Sequence, residues 1–545
     1  MAKDRMTVAK AMVKCLENEN ITTVFGYPGA AICPFYDELL PSGIEHILVR
    51  HEVNGGHSAS GYARITGKPA VCIATSGPGA TNLITAIATA YMDSIPMVII
   101  TGQVNSDQIG YDVFQEADIT GSAEPFVKHS YLVKNAEDIA YIFKSAFYIA
   151  GTGRPGPVLI DVPMDIQKCE IEFEYPETID IRTYKPSITG NKLQVKRVCE
   201  AIMSAEKPLI CAGGGLFASH AEKEMQKLAE ICDIPVITTM MGISSIPYNN
   251  RLHFGMLGMF GKKVANRAVC ECDLLILLGA RVGDRAVTAL KNRDNLKVVH
   301  IDIDPAEIGK SIPAAVPVVG DAATIIGQIL EGVSPKKHDQ WVSYLTDIKN
   351  QTEGDKPLAA TDGTVNPKAF MKALNKHLPE HSVVVADVGQ NQIWTCNNIE
   401  LGEQGRFLTA GGMGTMGYSL PAAIGAKKAD ESAEVVAICG DGSFQMQLME
   451  LATAVQHNIN VKIIVMVNNR LGMVREVQTN QYENHLIAVF LDGSPDFIKL
   501  AAAYGISGEN VTDISQADGA VERMIKSDKP YMLQVFVDEN EKTIL

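Results

Sequence analysis

No C-x-x-C pair and no zinc-type spacing occurs among the eleven cysteines, of which only Cys270 and Cys272 lie close together. That argues against a disulfide framework and a zinc module, and points to reduced, mostly buried thiols in a cytoplasmic protein. Long hydrophobic runs are also lacking. The longest, such as Leu274 to Leu278 and Ile463 to Val467, are strand-sized and far short of a membrane span. The opening stretch MAKDRMTVAKAMVKCLENEN is charged and has no apolar core, so a signal peptide is not expected. Positive charge is in deficit: 48 Lys and Arg against 63 Asp and Glu, a formal net charge of −15. That balance disfavours nucleic acid or an anionic membrane as the main partner. What remains is 545 residues, 46% hydrophobic and 20% charged, an ordinary globular composition. At roughly 150 residues per domain it predicts three or four domains.

Short apolar runs alternate with helix-length amphipathic segments. Residues 71–74, 97–101, 158–160, 209–211, 274–278, 298–301, 383–386, 435–438 and 463–467 read as buried strands, because they are rich in β-branched residues and have Gly-rich exits. The alternation predicts an α/β protein of doubly wound parallel sheets with helices on both faces. Polar stretches at 172–191 and 334–366 read as linkers and divide the chain into 1–172, 190–335 and 365–545. The outer parts share a pattern. VCIATSGPGATNLITAIATAYMDSIPMVIITGQ and VVAICGDGSFQMQLMELATAVQHNINVKIIVMVNN both read strand, Gly-x-Gly turn, helix of about four turns, strand.

The strongest chemical signal is Gly440-Asp441-Gly442, followed 25 residues later by Asn468-Asn469. Both motifs leave strands at one sheet edge, and the glycines let backbone approach a phosphate. The Asp441 carboxylate, the Asn468 amide oxygen and a backbone carbonyl at Arg470 suit Mg²⁺ that also binds diphosphate oxygens. The plainer alternative is a pair of polar turns. Gly412-Met413-Gly414-Thr415-Met416-Gly417 is a literal G-x-G-x-x-G, yet it lies late in the chain and lacks a suitably placed acidic partner for dinucleotide binding.

The Gly-Asp-Gly and Asn-Asn pair resembles the thiamine diphosphate (ThDP) motif. Glu52, in VRHEVNGGHSASGYARITGKPAVCIATSGPGATN, matches the family glutamate that protonates the aminopyrimidine ring. By itself His51-Glu52 would read as a surface pair. The resemblance makes 1–172 the pyrimidine-binding domain and 365–545 the diphosphate-binding domain. It implies a homodimer or homotetramer with sites at the subunit interface. Met416 matches the residue that bends the cofactor, the Gly414 carbonyl would hold its 4′-amino group, and Gln390, Gly440, Gly442, Ser443 and Met473 match further cofactor contacts. FGYPGAAICPFYDEL, SGPGATN, GYDVFQEADI, GRPGPVLIDVP, GMLGMFG, IDIDPAEIGK, GQNQIW, GTMGYSLPAAIGA, GDGSFQMQLMELATA and LGMVREVQ, in this order, resemble the catalytic subunit of acetohydroxyacid (acetolactate) synthases. The implied activity is ThDP-dependent decarboxylation of pyruvate and transfer of the two-carbon unit to a second 2-oxoacid, pyruvate or 2-oxobutyrate. That belongs to branched-chain amino-acid biosynthesis, with a possible small regulatory subunit. The resemblance also implies FAD, without a redox role, in the 190–335 domain. The matching positions are Arg154, Gly213, Gly214, Gly215, Thr239, Leu257, Gly258, Gly279, Arg281, Asp302 and Asp321. An empty nucleotide fold is the alternative. Arg285 matches the arginine that binds the acceptor carboxylate, Phe114 and Met259 match acceptor-pocket positions, and Gln115 matches a polar residue beside the cofactor. Phe114 and Met259 could equally be core, and Arg285 a surface ion pair or FAD contact.

The sequence departs from the pattern at several positions, and several of these changes line the acceptor side. Val477 stands where the family usually has Trp, and Met164 where it has Lys. Val53-Asn54 replace Gln-Gly, Gly283 replaces Asp, Asn391 replaces His, and the sequence ends at Leu545 without the longer closing tail of many members. Val477 predicts a larger pocket and weaker discrimination between acceptors. These changes keep open another ThDP-dependent 2-oxoacid decarboxylase, carboligase or C–C hydrolase with a different acceptor. A non-catalytic relative is disfavoured by the retention of Glu52, Asp441 and Asn468.

Overall fold

The computed structural model describes residues 4–283, 296–353, 360 and 362–543. The first part contains β1 (Asp4–Thr7), β2 (Thr23–Gly26), β3 (Glu45–Leu48), β4 (Ala70–Ala74), β5 (Met97–Gln103), β6 (His129–Leu132), β7 (Pro157–Pro163) and β8 (Glu170–Phe173). Strands β2 to β7 form a parallel sheet in the order β3-β2-β4-β5-β7-β6, and β1 and β8 pair antiparallel beside it. The middle part contributes β9 (Pro208–Ala212), β10 (Val236–Thr238), β11 (His253–Met256), β12 (Leu274–Leu278), β13 (Lys297–Asp302) and β14 (Val316–Val319). Their order is β11-β10-β9-β12-β13-β14, again parallel. The last part has β15 (Ser382–Ala386), β16 (Arg406–Thr409), β17 (Glu434–Gly440), β18 (Lys462–Val467), β19 (Ser507–Val511) and β20 (Tyr531–Phe536), ordered β16-β15-β17-β18-β20-β19.

Counting strands within each sheet, the outer two share one order, 2-1-3-4-6-5, whereas the middle one is 3-2-1-4-5-6. The weak internal repeat therefore reflects a shared topology, and the middle sheet has the strand order of dinucleotide-binding folds. All nine apolar runs are strands. The strands that no run revealed include all six sheet edges, where one side meets solvent and the apolar pattern breaks.

Two expectations need correction. The segment 334–366 is not simply a linker. It holds a helix, Asp339–Glu353, whose Trp341 and Leu345 are buried against Val264, Ala268 and Leu275 of the middle domain. The expected four-turn helices of the repeat are broken in both halves. Pro78–Thr81 precedes Ile84–Asp93, and Asp441–Phe444 precedes Glu450–Gln456. In the second case tight i to i+3 bonds, Gln447 N–H to Phe444 O at 3.0 Å and Glu450 N–H to Gln447 O at 2.9 Å, replace the α pattern and turn Gln447 into the interior.

The outer domains meet through two helices, Glu52–Thr66 and Ser419–Ala429. The first is poor in helix formers but rich in small residues, and that composition serves contact. A Cβ at Gly61 would stand 1.9 Å from Ala422 O, and one at Gly425 1.8 Å from Ser58 O. Backbones this close leave no room for side chains. Among the described residues no helix is long and apolar enough to cross a membrane.

Candidate active site

In open parallel sheets, ligands bind where the strand order reverses. In the C-terminal sheet that point lies between β15 and β17, and their exits carry Asp387-Val388-Gly389-Gln390 and Gly440-Asp441-Gly442. Asp441 is 2% exposed. Its Oδ1 accepts the Gly442 N–H at 2.8 Å, and its Oδ2 accepts the N–H groups of Asn468 at 3.1 Å and Asn469 at 2.6 Å. Asn469 adopts a positive φ of 54°, which turns both amides toward the carboxylate. Burial pushes the Asp441 carboxyl up to about 6, against the pull of those amides. None of its hydrogen-bond donors among the described residues is a cationic side chain. A buried carboxylate without a counter-charge is a natural ligand for a hard cation. Asn468 lies beside it, its amide nitrogen on Gln390 Oε1 at 2.9 Å and its Oδ1 accepting the Arg470 N–H at 3.2 Å. The Arg470 guanidinium points away, to Asn469 O at 2.8 Å and Glu539 at 2.5 Å, so only the backbone of Arg470 is available to a metal. No cluster of three or more His, Cys, Asp or Glu with metal-binding geometry exists among the described residues.

In the middle sheet the reversal lies between β9 and β12, and their exits are Gly213-Gly214-Gly215 and Gly279-Ala280-Arg281. These turns touch backbone to backbone: a Cβ at Gly213 would lie 2.1 Å from Gly279 O. Asp302 ends the second strand of the second half-sheet, the position from which acidic residues reach a ribose. Burial raises its carboxyl to about 6. Reciprocal arginines close the domain boundary here. Arg154 of the first domain pairs with Asp304 and Glu307 at 3.2 Å each, and Arg281 donates to Met92 O at 2.5 Å. Asp321 caps the helix Ala322–Gly332 through the Thr324 N–H at 2.9 Å and accepts Ser219 Oγ at 2.6 Å.

Both reversal points open into one cavity of about 1300 Å³. It gathers Gln390, Gly414, Met416, Gly440, Asp441, Gly442, Ser443, Asn468, Arg470 and Met473 with Arg154, Gly214, Gly215, Thr239, Leu257, Gly258, Met259, Gly279, Arg281, Asp302 and Asp321. Gly213 lies behind its wall, and Arg285 lies outside the described residues.

Glu52 is not in this cavity, nor are Phe114, Gln115 and Val477. Glu52 and Gln115 lie about the turn after β4, whereas Val477 lies one turn along the helix Gly472–Gln481 from the cavity-lining Met473. Glu52 opens its helix behind the N-cap His51, which accepts the Val53 N–H, and its Oε2 accepts the Asn82 amide at 3.0 Å. Asn82 belongs to the SGPGATN motif, but its tie to Glu52 was not legible from spacing. The turn after β4 lies between Glu52 and Gln115. A Cβ at Gly79 would meet Glu52 Oε1 at 3.3 Å, and one at Gly77 would meet Gln115 Cβ at 2.9 Å. Phe114 is 87% exposed, and Met259 (58%) and Val477 (42%) are also open to solvent.

The chain matches three family models. They are the thiamine pyrophosphate enzyme N-terminal TPP binding domain over residues 6–122, the central domain over 195–329 and the C-terminal TPP binding domain over 387–535. It is 42% identical to a probable acetolactate synthase large subunit of Methanocaldococcus jannaschii, covering 98% of this chain and 93% of that protein. Against the acetolactate synthase large subunits of Corynebacterium glutamicum and Haemophilus influenzae it is 41% and 40% identical, covering 99% and 98% of this chain and 88% and 95% of theirs.

Proposed function

The chain belongs to the acetolactate synthase large-subunit family of thiamine pyrophosphate enzymes, and we propose that it decarboxylates pyruvate and transfers the two-carbon unit to a second pyruvate, giving 2-acetolactate and CO₂. The observation that carries this reading is the uncompensated buried carboxylate of Asp441 at a sheet reversal point, framed by Asn468 and glycine turns. Asp441, the Asn468 amide oxygen and the Arg470 carbonyl would hold Mg²⁺, which would neutralise diphosphate charge there. The Gly414 carbonyl would accept from the 4′-amino group, Met416 would brace the cofactor, and Glu52 would hold and move a proton at the pyrimidine N1′. When bound, thiamine diphosphate supplies the electron sink that lets CO₂ leave. Arg285 recognises the acceptor carboxylate, for which a guanidinium fork is suited.

Glu52 does not line the cavity that holds Asp441 of the same chain, and Phe114, Met259 and Val477 are exposed. Both facts support a homodimer or higher homo-oligomer in which one copy supplies Glu52, Phe114 and Gln115 and the other Asp441 and Asn468. Relatives named large subunits support a separate small regulatory subunit. Eleven free thiols fit a reducing, cytoplasmic setting. The middle reversal point would hold FAD, with Arg154 and Arg281 supplying positive charge and Asp302 an acceptor to the cavity that would take it. The purified protein should show a visible flavin band; a colourless protein that gains none on adding FAD removes the flavin from the account.

Incubation with pyruvate, ThDP and Mg²⁺ should yield one acetolactate and one CO₂ per two pyruvates, and absence of CO₂ release would sink the proposal. Val477 and Met164 favour a second reading, the same machinery with another acceptor. An acceptor screen in which another carbonyl compound far outcompetes pyruvate would select it. Val477→Trp should narrow the pocket and raise the preference for 2-oxobutyrate over pyruvate by about tenfold or more, the size of effect expected for reshaping an apolar pocket. An unchanged product ratio would put Val477 outside the acceptor pocket.

A further inference from the structure

What Glu52 can do depends on where its carboxylate stands, and the loop before it sets that position. Leu48 to His51 join β3 to the Glu52 helix. The helix Glu450–Gln456 of the C-terminal domain lies along this loop. Its residues 450, 453, 456 and the following 457 share one face by helical spacing, and each meets the loop. Glu450 Oε1 accepts the Arg50 N–H at 2.9 Å and the Asn54 amide at 2.9 Å. The Thr453 hydroxyl lies 2.6 Å from Glu450 Oε2 and 3.3 Å from Leu48 O. Gln456 Oε1 accepts from the Arg50 guanidinium at 2.6 Å, and His457 Nε2 accepts the Leu48 N–H at 3.0 Å.

Glu450 is fully buried, and burial pushes its carboxyl above the usual range against the pull of Thr453, Asn54 and Arg50. A buried acceptor with every donor in place is rigid. It is also tied back to its own domain. Its N–H bonds Gln447 O at 2.9 Å, and the Gln447 amide donates to Asp387 Oδ2 at 2.8 Å. Asp387 accepts the N–H groups of Gly417 at 3.0 Å and Ser419 at 2.8 Å. A continuous polar line thus runs from the turn bearing Gly414 and Met416 to the first turn of the Glu52 helix.

We propose that Glu450 is the positioning residue for Glu52: it fixes the N-terminus of the helix on which Glu52 stands, and Asn54 tightens that hold. The inference deepens the proposed function and rests on it. The test is the exchange rate of the C2 proton of ThDP bound to the full-length holoenzyme, measured beside kcat and the KM for ThDP. Glu450→Ala should lower exchange and kcat together by on the order of 10–100-fold, the effect of a misplacement near 1 Å, with little change in the KM for ThDP. Glu450→Gln keeps an oxygen for Arg50 and Asn54 and should restore most of both rates. Asn54→Gly should show a smaller loss. Wild-type exchange in Glu450→Ala, or a Gln variant as slow as Ala, overturns the proposal. If Glu450→Ala does not fold, Thr453→Val and Asn54→Gly carry the test, and unchanged exchange in both overturns it. Glu52→Gln separates the two ideas. If it exchanges normally, the role of Glu52 is wrong; if it is silent while Glu450→Ala exchanges normally, only the positioning role fails.

Discussion

Glu52→Gln should lower turnover by about 10²–10⁴-fold, the usual contribution of a positioned acid–base group, while ThDP and Mg²⁺ still bind. The substitution keeps shape and an oxygen for the Asn82 amide, which now bonds Oε2 at 3.0 Å. It removes only the capacity to hold and release a proton. Glu52 sits at the start of its helix, 13% exposed at its side chain, so it is largely screened from bulk water. Full-length protein titrated with cofactor should therefore show near-normal binding with almost no acetolactate. A variant that still turns over at the wild-type rate removes Glu52 from the chemistry.

Asp441→Asn should be as severe for a different reason. The carboxylate accepts three backbone amides and, in the proposed site, also supplies the charge for the cation. An amide at that place loses the charge and turns N–H toward N–H. Disturbing partners behind a metal ligand already costs 10–100-fold in affinity, so loss of the ligand itself should raise the Mg²⁺ requirement by roughly 100-fold or more. Thermal unfolding reports this without turnover: ThDP with Mg²⁺ should stabilise the wild type and leave Asp441→Asn almost unmoved. The pH response has a definite sign. The Asp441 carboxyl, raised to about 6, must lose its proton to bind a cation. The Mg²⁺ needed for half-maximal activity should therefore climb as pH falls through that value, because protons compete for the site. A wild-type Mg²⁺ response in Asp441→Asn would mean that the cation is held elsewhere.

Much of this architecture can be read from residues alone, and the reasons for the gaps are physical. Buried central strands such as β4, β12 and β18 are continuous apolar runs because helices cover both faces. Edge strands such as β6 and β19, HSYL and SGENV, carry polar residues to solvent and leave no such trace. Gly440-Asp441-Gly442 and Gly279-Ala280-Arg281 were visible because a turn at a reversal point demands small residues in sequence order. The helix Asp339–Glu353 hid inside a polar stretch because only its Trp341 and Leu345 face is buried. Ties such as Glu450 to Arg50 join residues 400 positions apart, and no local pattern encodes them. The separation of Glu52 from the Asp441 cavity is likewise a property of the folded chain. It gives physical grounds for the shared site that the family resemblance implied.

Co-expression of Glu52→Gln and Asp441→Asn chains tests that shared site most directly. Each variant alone should make almost no acetolactate. If each site takes Glu52 from one copy and Asp441 from the other, a mixed dimer holds one intact site and one doubly altered site. Random pairing of equal amounts should then restore about one quarter of wild-type activity. Mixtures as inactive as the separate variants, despite verified co-assembly, would contradict the account and put Glu52 and Asp441 to work within a single chain or not together at all.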